Sequence, residues 1–328
     1  LTMKTWDYEN SGGSKKETGC CSLDSINDAR KVAVDCGFPH TILDIRDEFS
    51  DFIINNFIDE YIEGRTPNPC VLCNTHIKWE ALLKRADMLS CQYIATGHYA
   101  QIRKENSRYV VSKGLDEGKD QSYVLWGIPK ETICKTILPL GDLTKSEVRQ
   151  IARDYNLETA DEPESMEICF IADNNYKRFI NEYASKKIKD IGSGKTLDTQ
   201  GNQIGENSGY INYTIGQRKG IGLSSPNPLY VKNINSKDNS ITVSEKKSLF
   251  SSKCKVSNIN WLIDEPTLPL NAKCQIRYNG NGAAASIKKD NNYHFVEFDD
   301  PQLAITPGQS IVFYNENILL GGGIIEPI

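Results

Sequence analysis

Gln92-Tyr-Ile-Ala-Thr-Gly-His-Tyr99 decides how this chain is read. The apolar run is too short for a helix and ends in a glycine, the signature of a short strand running into a loop. A stretch with helical spacing precedes it, with Ile77, Ala81, Leu82 and Leu89 predicted inward. A helix followed by a short apolar strand is the repeating unit of a parallel sheet covered on both faces. In such sheets ligands bind beyond the carboxyl ends of the strands, so Gly97 and His98 are candidate binding residues. Gly97 lets a nucleotide approach the backbone, and His98 offers a contact to phosphate or base unless it is a satisfied structural histidine.

The pattern extends outward from this stretch. Leu1–Trp6 reads as a strand already under way, and a helix is expected over about 22–36. Ser22 would cap that helix, Ile26, Ala29 and Ala33 would share a face, and Gly37 would end it. His40–Ile45 reads as a short buried strand, and Phe49, Phe52, Ile53 and Phe57 then recur at helical spacing. Gly64-Arg-Thr-Pro-Asn-Pro-Cys-Val-Leu-Cys-Asn74 reads as a loop leading into the next helix. Thr144-Lys-Ser-Glu147 is a capping box opening a helix to about Tyr155. Ser165–Ile171 is strand-like and Asn175–Ala184 helical.

After about residue 188 the character changes. Glycines 192, 194, 201, 205, 209, 216, 220 and 222 mark a small, turn-dense domain. From about 250 only strands are expected, over 254–263, 272–279, 283–288, 293–298, 309–314 and 318–325, which suggests a small β-barrel. The predicted domains are therefore an α/β domain over 1–187, a small central domain over 188–248 and an all-β barrel over 249–328.

Composition bounds the function. A chain of 328 residues exceeds one ordinary core. Hydrophobic residues at 39% and charged residues at 25% are globular rather than disordered usage. No apolar run approaches the roughly 18 residues that span a membrane, so no membrane partner is expected. The opening residues do not read as a charged-then-apolar targeting segment. Net charge is −5, unlike a generic basic nucleic-acid binder, although the quantity that matters for RNA is the local patch along the phosphates. The ten cysteines (20, 21, 36, 70, 73, 91, 134, 169, 254 and 274) are too sparse for a secreted disulfide framework, so a reducing cytoplasm is expected.

Cys70-Val-Leu-Cys73, placed just before a helix, can be a redox dithiol, half of a metal site, or a nucleophile with a neighbour. The partial positive charge of a helix N-terminus would lower the thiol pKa there. A zinc site would need a second ligand pair, and there is none: Cys20 and Cys21 are adjacent and histidines 40, 76, 98 and 294 are scattered. Pro67 and Pro69 stiffen the loop around Asn68, as an ordinary proline-rich turn also would. On spacing alone Cys169, inside Glu167-Ile-Cys-Phe-Ile171, reads as a core residue. Lys119-Asp-Gln-Ser-Tyr123, Gln217-Arg-Lys-Gly220 and Arg277-Tyr278 are compatible with phosphate contact and base stacking, or with plain solvated surface.

Taken together, Met3-Lys-Thr-Trp6, Gly64–Pro69 with Cys73-Asn74, Ile94–Tyr99, Lys119–Tyr123, Ile168–Ile171, Gly216–Gly222, Thr306-Pro-Gly-Gln309 and Gly321–Glu326 resemble the tRNA-specific 2-thiouridylases, in order and over nearly the whole chain. The resemblance implies an adenine nucleotide alpha-hydrolase-like α/β domain, a small central domain and a C-terminal β-barrel. It implies ATP with Mg2+ as cofactors, adenylation of the C2 oxygen of a flipped-out wobble uridine, and sulfur transfer. It implies a persulfide on Cys169, delivered by a sulfur-relay protein or a cysteine desulfurase. Cys73 would be nucleophile or resolving thiol, leaving a Cys73–Cys169 disulfide. Met3 and Gly97 would line the adenine site. Asn68, Pro69 and Cys70 would face the target base, and His98, Lys119, Asp120, Gln121, Arg277, Tyr278 and Gln309 would touch tRNA.

Two departures from the family pattern stand out. Its glycine-rich pyrophosphate loop is expected upstream of Leu1, since Ser11-Gly-Gly-Ser14 lacks the aspartate and the helix. Some members carry aspartate where this chain has Cys70, so Cys70, Cys73 and Cys169 offer an alternative, a [4Fe-4S] cluster with one open iron. A third alternative is a non-catalytic tRNA-binding remnant lacking the ATP loop.

Overall fold

The computed structural model describes residues 1–6, 23–162, 168–171, 173–290 and 293–328. Within it the chain divides into two compact units. The first comprises residues 1–55, 69–122 and 132–183, and the second residues 56–68, 123–131 and 184–328.

The first unit is built on short parallel strand pairs. β1 (Thr2–Lys4) pairs in parallel with β2 (Ile42–Asp44), Met3 lying opposite Leu43. β3 (Ile94–Ala95) pairs in parallel with a later strand at Thr136–Ile137. Between these come an antiparallel hairpin, β4 (Ala100–Glu105) with β5 (Arg108–Lys113), and then that later strand, β6 (Thr136–Ile137). Helix Leu23–Asp35 buries Ile26 and Ala33, and Gly37 ends it at φ +73°; the expected cap Ser22 lies outside the described residues. The His40–Ile45 strand is shorter than expected and buries only Leu43 of its three residues, because alternate side chains point to opposite faces.

Helix 46–54 follows, with Phe49 and Ile53 buried and Phe52 about half exposed. Helix 69–88 departs most from the sequence pattern. Its middle, Cys73–Ala81, is wound as a π-helix. The wider turn rotates the inward face, so Asn74, Ile77, Trp79 and Ala86 are buried while Ala81 and Leu82 are only half-buried and Leu89 is exposed. Trp79 Nε1 donates to Thr136 Oγ1 at 3.0 Å, tying this helix to β6. The capping box at Thr144 forms as expected and opens helix Lys145–Asp154. Helix Tyr176–Tyr183 closes the unit, its Phe179 and Ile180 buried.

The second unit holds two sheets. β7 (Gly194–Leu197), β8 (Gln203–Asn207), β9 (Tyr230–Asn235) and β10 (Ser240–Ser244) form a four-stranded sheet in the order β8-β7-β10-β9, with β7 and β10 parallel. Six antiparallel strands follow: β11 (Phe250–Trp261), β12 (Leu270–Gln275), β13 (Ala283–Asp290), β14 (Tyr293–Leu303), β15 (Ser310–Asn315) and β16 (Ile318–Glu326). Their order β11-β14-β13-β12-β15-β16 is closed by pairing of β16 with β11, so the barrel exposes no free edge. Alternation along the strands sends Cys254, Val256, Cys274, Ile287, Val296, Ile311 and Phe313 into one core. Burial pushes the Cys254 thiol up to about 12 and raises Cys274 as well, so both pack as small hydrophobes rather than reactive thiols.

Phe313 is fully buried in that core. Phe313→Ala is expected to cost about 3–5 kcal/mol, read as a lower urea midpoint of the barrel transition.

Candidate functional site

In the first unit the two candidate sulfurs sit on different kinds of backbone from those the sequence suggested. Cys70 and Cys73 do not lie in a loop before a helix; they are inside it, because Pro69 occupies its first turn, where a fixed φ and a missing N–H are no handicap. Thr75 Oγ1 donates to the Val71 carbonyl at 3.0 Å within the same turns. Cys70 is exposed and Cys73 half-buried. Crowding by surrounding protein raises the Cys70 thiol above its ordinary value, with Lys78 pulling weakly the other way. Solvent still reaches Cys70 despite this crowding. The expected helix-end depression of that thiol is therefore overridden by desolvation.

Cys169 is not in a buried strand. Ile171 N–H donates to the Ile168 carbonyl at 2.9 Å, closing a tight turn that leaves Cys169 exposed and sends Phe170 and Ile171 inward. Ser165, Met166 and Glu167 lie outside the described residues. The Phe170 ring stands edge-on to Phe49 at 5.8 Å and packs on Phe179 at 5.2 Å. Three residues beyond Phe49, Phe52 stacks on His76 at 4.9 Å, and His76 Nδ1 meets Glu80 Oε2 at 3.0 Å. Helix 46–54 thus carries on its surface both the turn that presents Cys169 and the helix that presents Cys73. Among the described residues no group of three His, Cys, Asp or Glu side chains is placed to hold a metal ion.

A cleft of about 570 Å³ opens between β1 and β3 of this unit. Met3 and Gly97 both line it, with apolar Leu1, Leu82, Leu89 and Ile94 and the cations Lys78 and Arg85. The lining is thus mainly apolar, with two cations among it. His98 lines the same cleft but is buried. Its Nδ1 lies 2.8 Å from Thr96 Oγ1 and its ring packs against Trp79 at 5.6 Å. Burial lowers its pKa to about 3, so the ring is neutral at physiological pH and can hydrogen-bond to an anion or a base without charge.

Asp120 and Gln121 have structural partners within the unit. Asp120 accepts from the amides of Gly114 and Ser122 at 3.0 and 3.1 Å and from Ser122 Oγ at 2.8 Å. Gln121 and Tyr99 exchange two bonds: the Gln121 amide donates to the Tyr99 carbonyl, and the Tyr99 amide to Gln121 Oε1. This ties the segment after β3 to the 119–122 loop, in which Lys119 is half-buried.

In the second unit, residues 64–68 are held by a clamp that sequence reasoning assigned no positioning role. Gln309 Nε2 donates to the carbonyls of Thr66 and Pro67, both at 2.9 Å. Thr66 N–H donates to the Pro307 carbonyl at 2.9 Å. Arg65 pairs with Glu60 and, at 2.8 Å, with Glu326 at the end of β16. Gly308, at φ +88°, lies so close that a Cβ would stand 2.8 Å from the Thr66 carbonyl oxygen. The rigidity expected of Pro67-Asn68-Pro69 thus comes from barrel residues as well as prolines; the only sequence signal was that both segments carry turn residues. Arg277 Nη2 donates to the Leu303 and Ala304 carbonyls at 3.1 Å, and the exposed Tyr278 ring lies edge-on to the buried Tyr123 at 6.0 Å.

With this geometry described, comparison places the chain. Residues 1–173 match the family described as tRNA methyl transferase HUP domain, 177–245 its PRC-barrel domain, and 251–325 an aminomethyltransferase beta-barrel domain. The class is therefore a nucleotide-binding HUP-domain α/β protein with a PRC-barrel domain in the middle and a closed β-barrel at the end. The tRNA-specific 2-thiouridylase MnmA of Amoebophilus asiaticus is 50% identical over 99% of this chain and 88% of its own length. Those of Cytophaga hutchinsonii and Salinibacter ruber are 47% and 49% identical, covering 99% and 100% of this chain and 89% and 87% of theirs. The chain belongs to the tRNA-specific 2-thiouridylase family.

Two measurements check this site. His98 resists protonation in the folded state, whereas unfolded histidine titrates near 6.5. Its stabilising contribution is complete above pH 6.5 and is lost as pH falls toward 3. Between pH 7 and pH 5 this amounts to up to about 2 kcal/mol, seen in urea unfolding as a steeper acid loss in the wild type than in His98→Gln. Gln309→Ala, losing two bonds to buried-side carbonyls, is expected to speed hydrogen exchange at the Thr66 and Asn68 amides while leaving β15 protected.

Proposed function

We propose that this protein transfers sulfur to a uridine of tRNA in an ATP-dependent reaction, with Cys169 carrying the sulfur as a persulfide and Cys73 as its thiol partner. The observation that carries the reading is the shared support of the two cysteines: Phe49 holds the Cys169 turn and Phe52 holds the Cys73 helix, three residues apart on one element. Such support sets both thiol-bearing segments on one scaffold element.

The chemistry follows from what each side chain offers. An exposed turn suits a cysteine that must be loaded by a separate sulfur-donor protein, since the donor's persulfide has to reach it. The half-buried Cys73 suits the later, intramolecular step. In that step the terminal sulfur of the Cys169 persulfide bonds to C2 of the uridine as the C2–O bond breaks, the activated oxygen departing with AMP. The Cys73 thiolate then attacks the Cys169 sulfur, the S–S bond to the transferred atom breaks, and its electron pair stays with the new thiocarbonyl. A Cys73–Cys169 disulfide remains, and an external dithiol must return two electrons to reset the enzyme. ATP, when bound, activates the C2 oxygen as a leaving group; Met3 and Gly97 would hold its adenine and Lys78 and Arg85 face its charge. Mg2+ would accompany the phosphates.

On the RNA side, Asn68, Pro69 and Cys70 are proposed to face the extruded base, their segment stiffened by two prolines and the Gln309 clamp. His98, Lys119, Arg277 and Tyr278 are proposed as tRNA contacts, and Asp120, Gln121 and Gln309 to act chiefly by positioning. The crowding that raises the Cys70 thiol keeps it protonated, which suits a weak hydrogen-bond donor to the base rather than a second nucleophile. The dithiol reading is favoured over a [4Fe-4S] cluster on Cys70, Cys73 and Cys169 because a cluster needs all three as thiolates, whereas crowding raises the Cys70 thiol and opposes its ionisation.

Cys73→Ser and Cys169→Ser are each expected to abolish thiouridine formation while tRNA binding persists, read as loss of retarded tRNA on a mercury-containing gel. Cys36, Cys91, Cys134, Cys254 and Cys274 replaced singly should cost little rate. Full thiolation by either Cys73→Ser or Cys169→Ser would overturn the assignment.

A further inference from the structure

Between Glu206 and Asp238 the chain has no carboxylate, while it carries Arg218, Lys219, Lys232 and Lys237. In a protein of net charge −5 this is a local reversal of sign. At its centre, in the second unit, lies the loop 214–222. Two backbone bonds pin it to β9: Gly216 N–H to the Val231 carbonyl at 2.8 Å, and Val231 N–H to the Gln217 carbonyl at 2.9 Å. Gln217 then locks the loop from within, accepting from the Thr214 amide at 3.1 Å and donating to the Lys219 carbonyl at 2.8 Å. Gly216, Gly220 and Gly222 take φ of +87°, +75° and +79°, left-handed backbone that glycine adopts without strain.

Arg218, Lys219 and Gly220 are exposed, and among the described residues their amides meet no protein acceptor. The loop also abuts Arg277. A Cβ on Gly216 would stand 3.0 Å from Ala304 Cβ and 3.9 Å from Arg277 Nη2, the nitrogen bonded to the Leu303 and Ala304 carbonyls. At its foot is a cleft of about 380 Å³, lined by Ile215, Lys232, Ala304 and the half-exposed ring of Phe250 among others.

We propose that this loop is a phosphate-binding element that seats a phosphodiester of the RNA backbone. The amides of Arg218, Lys219 and Gly220 form the concavity, Arg218, Lys219 and Arg277 supply the charge, and Lys232 continues the path along the cleft. The same oxyanion chemistry would suit the phosphates of a nucleotide. The RNA backbone is the occupant here because the cations form an open path, and because the slot proposed for the adenine belongs to the other unit. The inference rests on the reading that tRNA is the substrate.

The test uses the full chain and unmodified tRNA, with dissociation constants measured over a series of salt concentrations and KM for ATP measured in parallel. Arg218→Gln and Lys219→Gln are each expected to weaken tRNA binding several-fold and to reduce the slope of log K against log salt by roughly 0.7–0.9, with KM for ATP unmoved. Gly220→Val, which keeps every charge but opposes the left-handed backbone, should weaken binding without changing the slope contributed by the side chains. Arg218→Gln and Lys219→Gln proteins that bind with the wild-type affinity and slope, or Gly220→Val with unchanged affinity, would sink the loop's role while leaving thiolation by the wild type intact. A rise in KM for ATP instead would reassign the loop to the nucleotide. Failure of the wild type itself to thiolate tRNA would count against the substrate reading, independently of the loop.

Discussion

Sulfur transfer between two thiols demands that both be held firmly while one of them stays reachable from outside. In the proposed reaction, the packing of Phe170 against Phe49 is what meets that demand at Cys169. A cysteine between two large apolar residues would ordinarily be drawn into the core with them. Here the turn closed from Ile168 to Ile171 lets the Phe170 and Ile171 side chains go inward and forces the residue before them outward. Phe170 packs against three aromatic neighbours, Phe49, Phe179 and Trp6, and Phe179 continues the stack to Tyr183 at 4.5 Å. Burial of that kind contributes a few kcal/mol per ring, enough to fix an exposed turn.

The second organising element is electrostatic. The chain as a whole is acidic, yet its charges are not spread evenly. Carboxylates are used structurally where they meet backbone amides or arginine, as Asp120 does in the 119–122 loop and as Glu60 and Glu326 do around Arg65. Cations are left exposed on the loop after the four-stranded sheet's β8 and beside it. Net charge therefore says little about affinity for a polyanion, because the field a phosphate feels falls off within about a Debye length of roughly 10 Å.

Most elements were legible in the sequence where they were long or strongly patterned. The six barrel strands run for six residues or more each, and the capping box at Thr144 is a local signal with a local cause. Misreadings fell where tertiary packing decides among local options. Ser165–Ile171 has strand-like composition, but four described residues of it make a turn. Cys70 and Cys73 looked like loop residues because two prolines precede them, whereas a proline in the first turn starts a helix as readily as it breaks one. Leu82 and Leu89 were expected inward on a uniform period of 3.6, which the π-wound stretch Cys73–Ala81 does not keep.

By itself the sequence determined the α/β-then-β order and the closing run of barrel strands, while the cysteines worth testing came from the resemblance to the thiouridylases. Those follow from periodicity, turn chemistry and contiguous motifs, all of which are local in the chain. Only the tertiary structure decided which cysteines are exposed, that His98 is buried and uncharged, and that Gln309, Gly308 and Glu326 grip residues 65–67. Exposure, desolvation and a clamp between segments some 240 residues apart arise from what else occupies the neighbouring space, and no linear pattern encodes that.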